Sequence, residues 1–186
     1  YFADSLGNMS PDNVIDIIRQ IKKNWRKEIG IHAHDNKGMA VKNTLAAISQ
    51  GVTWVDSTVR GMGRGAGNAK SEELLVELNR LSPNSYDFEG LKRLSNEDFK
   101  VLYDKYKWGA SDLYSLAADY NIHPTYIQEM VADVRYSEKQ VRGIIEYMKN
   151  IPSTSYNPET LEEMRIKSKK DRNGSWNAKN WCLGKD

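Results

Sequence analysis

The sequence predicts an α/β fold with parallel strands, followed by a helical region and a polar end. Short apolar runs alternate with helical patterns over residues 1–81, in the order strand, helix, strand, helix, strand, helix. Such alternation is typical of parallel strands joined by right-handed crossovers. The pattern is almost wholly helical over 82–150 and turns polar over 151–186, so we expect a helical C-terminal domain and then a polar tail or linker.

The first strand and helix are predicted at the start of the chain. Residues 1–5 have the composition of the end of a buried strand, and Ser10 with Pro11 predicts a helix start. Apolar residues then recur at spacings of three and four, which predicts one buried helix face: Val14, Ile17, Ile18, Ile21 and Trp25. Because the chain opens directly with a strand and without Met, we expect the front of the protein to lie outside this sequence.

Two further strand–helix units follow. Residues 29–34 and 52–57 predict strands, and the helix between them ends near Gly51. A glycine-rich loop over 60–68 then leads to a helix from about Ser71. Ligands of parallel α/β folds bind at the carboxyl ends of the strands, so we expect the polar groups there to carry the chemistry.

Composition excludes several classes of function. Lys and Arg number 27 and Asp and Glu number 25, a net charge of +2, which predicts no broad contact with nucleic acid or an anionic membrane. No apolar run approaches the ~20 residues that cross a bilayer. Cys182 is the single cysteine, so nothing indicates an oxidising compartment, and we expect a cytoplasmic protein.

His32 and His34 are the sharpest candidates for chemistry. Residues i and i+2 of a strand project from the same face, so these two imidazoles are expected side by side at a strand end. Imidazole is the commonest metal ligand in proteins, which makes a shared metal ion one interpretation. The other is a pair of hydrogen-bonded polar residues. A metal site would need a third ligand from elsewhere in the protein.

Other polar residues support weaker hypotheses. The glycine-rich loop permits close backbone approach to an anion, although a plain strand-to-helix connection is commoner. Asn68 sits where a helix cap would lie, and of Asp4 and Ser5 only one can face the strand-end mouth. Arg60 and Arg64 could hold a carboxylate or phosphate, although solvated surface arginines are commoner.

Four ordered runs resemble a known family: IHAHDNKG (31–38), NTLAA (43–47), VDST (55–58) and GMGRGAGNA (61–69). They are similar to the DRE-TIM metallolyase superfamily, the HMGL-like proteins, and most of all to its 4-hydroxy-2-oxovalerate aldolase branch. The resemblance implies the C-terminal part of a (β/α)₈ TIM barrel, with the three strands as its sixth to eighth. A whole barrel needs about 250 residues.

The resemblance also implies roles for individual residues. His32 and His34 match the paired ligands of a divalent metal, Mn²⁺, Mg²⁺ or Zn²⁺, whose third ligand, an aspartate of the first strand, lies outside this sequence. Ser5 matches a residue that helps hold the oxo-acid substrate, and Asn68 a substrate-site residue that touches the metal in the acyl-CoA branch. Tyr114 matches the catalytic tyrosine of the aldolase branch.

The implied function is cleavage or formation of a carbon–carbon bond in a 4-hydroxy-2-oxo acid through a pyruvate enolate. Two alternatives stay open: an acyl-CoA-dependent Claisen synthase or lyase of the same superfamily, and a non-catalytic barrel module of a longer protein. The lyase branch carries a cysteine in the glycine-rich loop, where this chain has Met62 and Arg64. The implied partners are a small 2-oxo acid and either a second copy of the chain or an aldehyde dehydrogenase.

Overall fold

The computed structural model describes residues 1–83 and 85–170 and has the predicted α/β fold. Its strands are β1 (Phe2–Asp4), β2 (Gly30–Ala33) and β3 (Trp54–Val55), which form a parallel sheet in the order β1-β2-β3. Ala3 pairs with His32, and Ile31 pairs with Val55. Each strand therefore ends at the same edge of the sheet, as the alternating pattern predicts.

Three helices follow the strands: α1 (Pro11–Asn24), α2 (Ala40–Ser49) and α3 (Ser71–Leu81). Ser10 caps α1 in a reciprocal capping box with Asn13, so the predicted start is confirmed. The helix ends at Asn24, and Trp25 is 48% exposed, so the expectation that Trp25 belongs to the buried helix face is wrong. Lys22 and Lys23 in the last turn suit the negative end of the helix dipole.

The core of this part lies between the sheet and the first two helices. Val14 and Ile18 of α1 pack with Ile31 and Ala33 of β2 and with Ala47 of α2, all with 1% or less of their surface exposed. Complete burial of a Val or Ile side chain contributes roughly 1.5–3 kcal/mol. This packing fixes the position of β2, the strand that carries both candidate histidines.

The first helices after α3 belong to the same compact unit as the strands. Helix α4 (Phe88–Leu94), a π-helical segment Ser95–Phe99 and α5 (Lys100–Tyr106) follow one another without a break. The chain divides into two compact units, and these three segments belong to the first, which covers residues 1–111. The domain limits inferred from the sequence, 1–81 and 82–150, stay a prediction.

The second unit begins at Asp112 and is helical throughout its named elements. They are α6 (Asp112–Asp119), α7 (Pro124–Ala132), α8 (Glu138–Met148) and α9 (Pro158–Lys170). Helix α9 lies within the region 151–186 that the sequence predicted to be a polar tail or linker. Asn157 accepts a hydrogen bond from the amide of Glu159 at its start, and Met164 is 2% exposed. The rest of the expected tail, from 171, lies outside the described residues.

In the described part of the chain, every helix is too short or too polar to cross a membrane.

Candidate metal centre at the strand ends

The two histidines lie side by side where β2 ends. His32 is inside β2 and His34 is one residue beyond it, and their ring centroids are 4.7 Å apart with an interplanar angle of 83°. Both side chains are half-buried. The strand periodicity therefore predicted their proximity, and the buried core beneath β2 holds both rings at the carboxyl edge of the sheet.

Hydrogen bonds fix which nitrogen of each ring can bind a cation. Nδ1 of His34 lies 2.8 Å from the main-chain oxygen of Asp4, and Nδ1 of His32 lies 3.0 Å from Oδ2 of Asp56. A carbonyl or a carboxylate can only accept, so each Nδ1 carries the proton. The Nε2 of each neutral ring then keeps its lone pair. This is the arrangement in which metal-ligating histidines are held in proteins.

Asp56 is a residue of the candidate site that sequence reasoning missed. It follows β3 directly, and its amide donates to the main-chain oxygen of Ile31 at 3.1 Å. Because parallel strands end at one edge, the residue after β3 comes to lie beside the end of β2. The strand order and the VDST run (55–58) together could have placed Asp56 beside His32. In the sequence analysis, the run was used only as part of the family resemblance.

Asp4 and Ser5 separate as the strand alternation predicts. The side chain of Asp4 is 1% exposed and accepts hydrogen bonds from the amides of Asn8 and Met9, both at 3.2 Å. Burial raises the pKa of Asp4, and the two amides oppose that shift. Its carboxylate therefore organises the loop after β1. Ser5 is exposed and follows the carbonyl that holds His34.

The glycine-rich loop brings Asn68 beside His34. The amide of Asp35 donates to Gly67 O at 3.0 Å, and Asn68 forms an isolated antiparallel bridge with His34. The side-chain amide of Asn68 donates from Nδ2 to Met62 O at 3.1 Å, which leaves Oδ1 as an acceptor. The helix-cap interpretation of Asn68 is wrong, because Lys70 is the residue that precedes α3.

These side chains suit part of a divalent-cation site. Two imidazole nitrogens and an amide oxygen are ligands that Mn²⁺, Zn²⁺ or Mg²⁺ accept, with carboxylates completing the set. Over residues 1–83 and 85–170, no group of three or more His, Cys, Asp or Glu side chains is arranged to hold a metal ion. The residues present therefore fit a metal as two or three of its ligands.

Tyr114 belongs to the second unit, where it lies on α6. It is 7% exposed, and burial raises the pKa of its phenol above the ordinary value. The first unit contains His32, His34, Asn68 and Ser5 at or next to the ends of β1 and β2. A catalytic role for Tyr114 stays a prediction.

The fold and the strand ends define a class: a parallel α/β protein with paired, pre-oriented histidines at the carboxyl edge of its sheet. Comparison with known proteins gives the family. The model of the HMGL-like family matches residues 1–97, and the chain belongs to that family. This confirms the resemblance to the DRE-TIM metallolyases inferred from the four sequence runs.

Curated relatives with the same name come from several bacteria. The chain is 46% identical over 81 residues to a 4-hydroxy-2-oxovalerate aldolase from Geobacillus genomosp. 3, a match that covers 44% of the chain and 24% of the relative. It is 47% identical over 81 residues to the protein of that name from Carboxydothermus hydrogenoformans, with the same coverage. The chain thus matches about a quarter of the length of these relatives.

Solved structures agree on the fold. The N-terminal domain of a candidate aldolase from Bacteroides vulgatus matches with a TM-score of 0.66 and 34% identity, covering 74% of this chain and 44% of that one. The carboxyl transferase domain of Rhizobium etli pyruvate carboxylase, with pyruvate, also gives a TM-score of 0.66, at 15% identity. That match covers 91% of this chain and 31% of the other, and it supports the fold alone.

Proposed function

We propose that the full-length protein is a divalent-metal-dependent aldolase that cleaves or forms a carbon–carbon bond in a 4-hydroxy-2-oxo acid. In this proposal residues 1–81 are the last three β/α units of a (β/α)₈ barrel, and the helices after them are its C-terminal extension. The observation that carries it is the pair of imidazoles whose Nε2 atoms are left to bind a cation. Family membership and about 45% identity to named aldolases support the same function.

The chemistry divides between the metal and the side chains of this chain. When bound, a divalent ion would supply Lewis acidity toward the oxygens of a 2-oxo acid. His32 and His34 hold the ion, and Asp56 keeps the first ring in the tautomer that presents Nε2. The Ser5 hydroxyl donates a hydrogen bond to the substrate carboxylate.

Asn68 and Tyr114 complete the proposed roles. Asn68 offers the amide Oδ1 to the ion or to the substrate beside it, since Nδ2 already donates to Met62 O. Tyr114 acts as a proton donor rather than a base, because burial raises the pKa of its phenol and favours the protonated form. The finer expectations, a cytoplasmic enzyme that forms a homo-oligomer or pairs with an aldehyde dehydrogenase, belong to this proposal.

The decisive experiment measures pyruvate released from 4-hydroxy-2-oxopentanoate by full-length protein, with and without Mn²⁺. We expect release that depends on Mn²⁺ and stops when a chelator is added. Mn²⁺ binding without pyruvate release would contradict the aldolase and shift the assignment to acyl-CoA-dependent Claisen chemistry. Absence of both binding and release would indicate a barrel without catalytic activity.

A further inference from the structure

Arg60 connects the glycine-rich loop to the helices that follow the strands. Its backbone is left-handed, with φ 54°, although it is not glycine. The Arg60 amide donates to both carboxylate oxygens of Glu72, at 3.0 and 2.9 Å, and its carbonyl accepts from the Trp108 indole at 2.9 Å. The amide and the carbonyl of this strained residue are thus each hydrogen-bonded to a side chain from outside the loop.

The Arg60 side chain reaches the same helical segment. Its guanidinium donates from one nitrogen to the carbonyl and the hydroxyl of Ser95, at 3.4 and 3.3 Å, and lies 5.3 Å from the ring centroid of Tyr103. Tyr103 in turn meets Trp108 edge to face, with centroids 5.2 Å apart. Trp108 is only 8% exposed. We call Arg60, Ser95, Tyr103 and Trp108 the latch.

A second bond ties the same segment to the middle of the loop. The amide of Gly109 donates to Gly65 O at 3.0 Å. Residues 95–109 therefore hold the loop both at its start, through Arg60, and beyond its midpoint. Both connections lie within the first compact unit.

The opposite side of the loop contacts the strand end that carries His34. The amide of Asn68 donates to Gly61 O at 3.1 Å, and Gly67 O accepts from Asp35. A Cβ at Gly67 would lie 2.3 Å from Gly61 O, so the Gly67 backbone passes directly against that carbonyl. Gly61 follows Arg60 and accepts the Asn68 amide, so it connects the two residues.

We propose that the latch positions the metal site: Arg60 and Trp108 set the place of Asn68 and the loop against His34 without touching metal or substrate. The inference rests on the proposed function, because it assigns a purpose to the geometry of that site. The helical segment over 95–109 then helps to position the candidate site. Loss of either latch contact loosens the loop and weakens cation binding.

The test uses full-length Trp108→Phe, which removes the indole N–H and keeps an aromatic ring. Trp25→Phe is the matched control, since Trp25 also donates its indole N–H to a main-chain oxygen, that of Glu28 at 3.0 Å. Two readouts are compared with wild type: the rate of trypsin cleavage after Arg64 in metal-free protein, and the Mn²⁺ dissociation constant from titration. Arg60→Lys, which keeps the charge but not the guanidinium geometry, serves as the second variant.

We expect both latch variants to be cleaved faster after Arg64 and to bind Mn²⁺ roughly threefold to tenfold more weakly, the effect of one hydrogen bond. The Trp25→Phe control keeps both wild-type values. Faster cleavage with unchanged Mn²⁺ affinity would make the latch merely structural, and unchanged values in both readouts would remove it altogether. Wild-type protein that binds no Mn²⁺ would instead overturn the proposed function, which separates the two failures.

Discussion

The strand ends of the first compact unit and the helix ends of the second use polar side chains in different ways. In the first, hydrogen bonds join residues far apart in sequence: His34 reaches Asp4, 30 positions away, and His32 reaches Asp56, 24 positions away. In the second, Ser137 bonds Gln140 and Asp133 bonds Arg135 within a turn of chain. The Asp133–Arg135 contacts hold the pKa of Asp133 down at about 2.

This difference indicates that the candidate site lies where long-range hydrogen bonds meet. Local hydrogen bonds cap helices and close turns, and any of them can be lost at a cost of about 1 kcal/mol. Long-range bonds at strand ends depend on the whole sheet, and burying their polar groups is costly unless each group finds a hydrogen-bond partner. The first unit buries Asp4 at the end of β1, and Asp35 and Asn36 just after β2.

The largest expected effect is the loss of Mn²⁺ affinity on removal of His32, compared with removal of His123 in the second unit. His32→Ala in full-length protein removes most of the Mn²⁺ affinity, by at least about a hundredfold, together with pyruvate release, because a ligand counts for more than its hydrogen-bonding partner. Mn²⁺ titration and the pyruvate assay measure the two losses. His123→Ala is the control, since that ring accepts from the Thr125 amide at the start of α7. Retained affinity and turnover in His32→Ala would refute the site.

Asp56→Ala tests the bond that orients His32. The ring then loses the acceptor that fixes its tautomer, and we expect Mn²⁺ affinity to fall by about tenfold to a hundredfold. Asp56→Asn, which still offers an amide oxygen to Nδ1–H, falls between wild type and Ala. Glu146→Gln in the second unit is the matched control, because Glu146 also accepts from an aromatic side chain, the Tyr120 hydroxyl at 3.0 Å. An Asp56→Ala protein with wild-type affinity would remove Asp56 from the site.

Gly67→Ala tests how closely the loop must fit. Its φ is +78°, and a Cβ would meet Gly61 O at 2.3 Å, so left-handed strain of roughly 1–2 kcal/mol adds to a clash. We expect about tenfold weaker Mn²⁺ binding and a lower thermal midpoint. Gly38→Ala is the control, with φ +66° but nothing within 4 Å of the added carbon. Equal effects of the two substitutions would show that strain alone matters.

The smallest effect compares two capping boxes of the same kind. Ser10→Ala in α1 and Ser137→Ala in α8 each remove a side-chain cap, and each is expected to cost about 1 kcal/mol of unfolding free energy. Neither serine belongs to the candidate site, so Mn²⁺ affinity is expected to stay unchanged in both. Denaturant unfolding of each variant beside the metal titration checks this. A change in Mn²⁺ affinity in Ser137→Ala would contradict the assignment of the candidate site to the first unit alone.

Sequence patterns were sufficient for the parts of the fold that rest on local chemistry. The strand before Ser10, the capped start of α1 and the end of α2 near Gly51 each followed from one or two residue types. The side-by-side placement of His32 and His34 needed only the two-residue period of a strand. Parallel pairing followed from the alternation of strands and helices.

Long-range partners were beyond those patterns. No local rule connects Asp56 with His32, or Arg60 with Ser95 and Trp108, since each contact depends on strand order or on the path of the chain after α3. Helix α9 was missed because its composition is polar, although Met164 within it is 2% exposed. The strand predicted over 52–57 is shorter in the structure, where it covers Trp54–Val55.

The two histidines differ in how readily evolution could adjust them. His32 is oriented by a side chain, that of Asp56, so a single codon change can alter the orientation of its ring. His34 is oriented by a main-chain carbonyl at Asp4, which every amino acid possesses. A point mutation at position 56 can therefore reorient one ring, while the other retains its orientation for as long as β1 stays paired with β2.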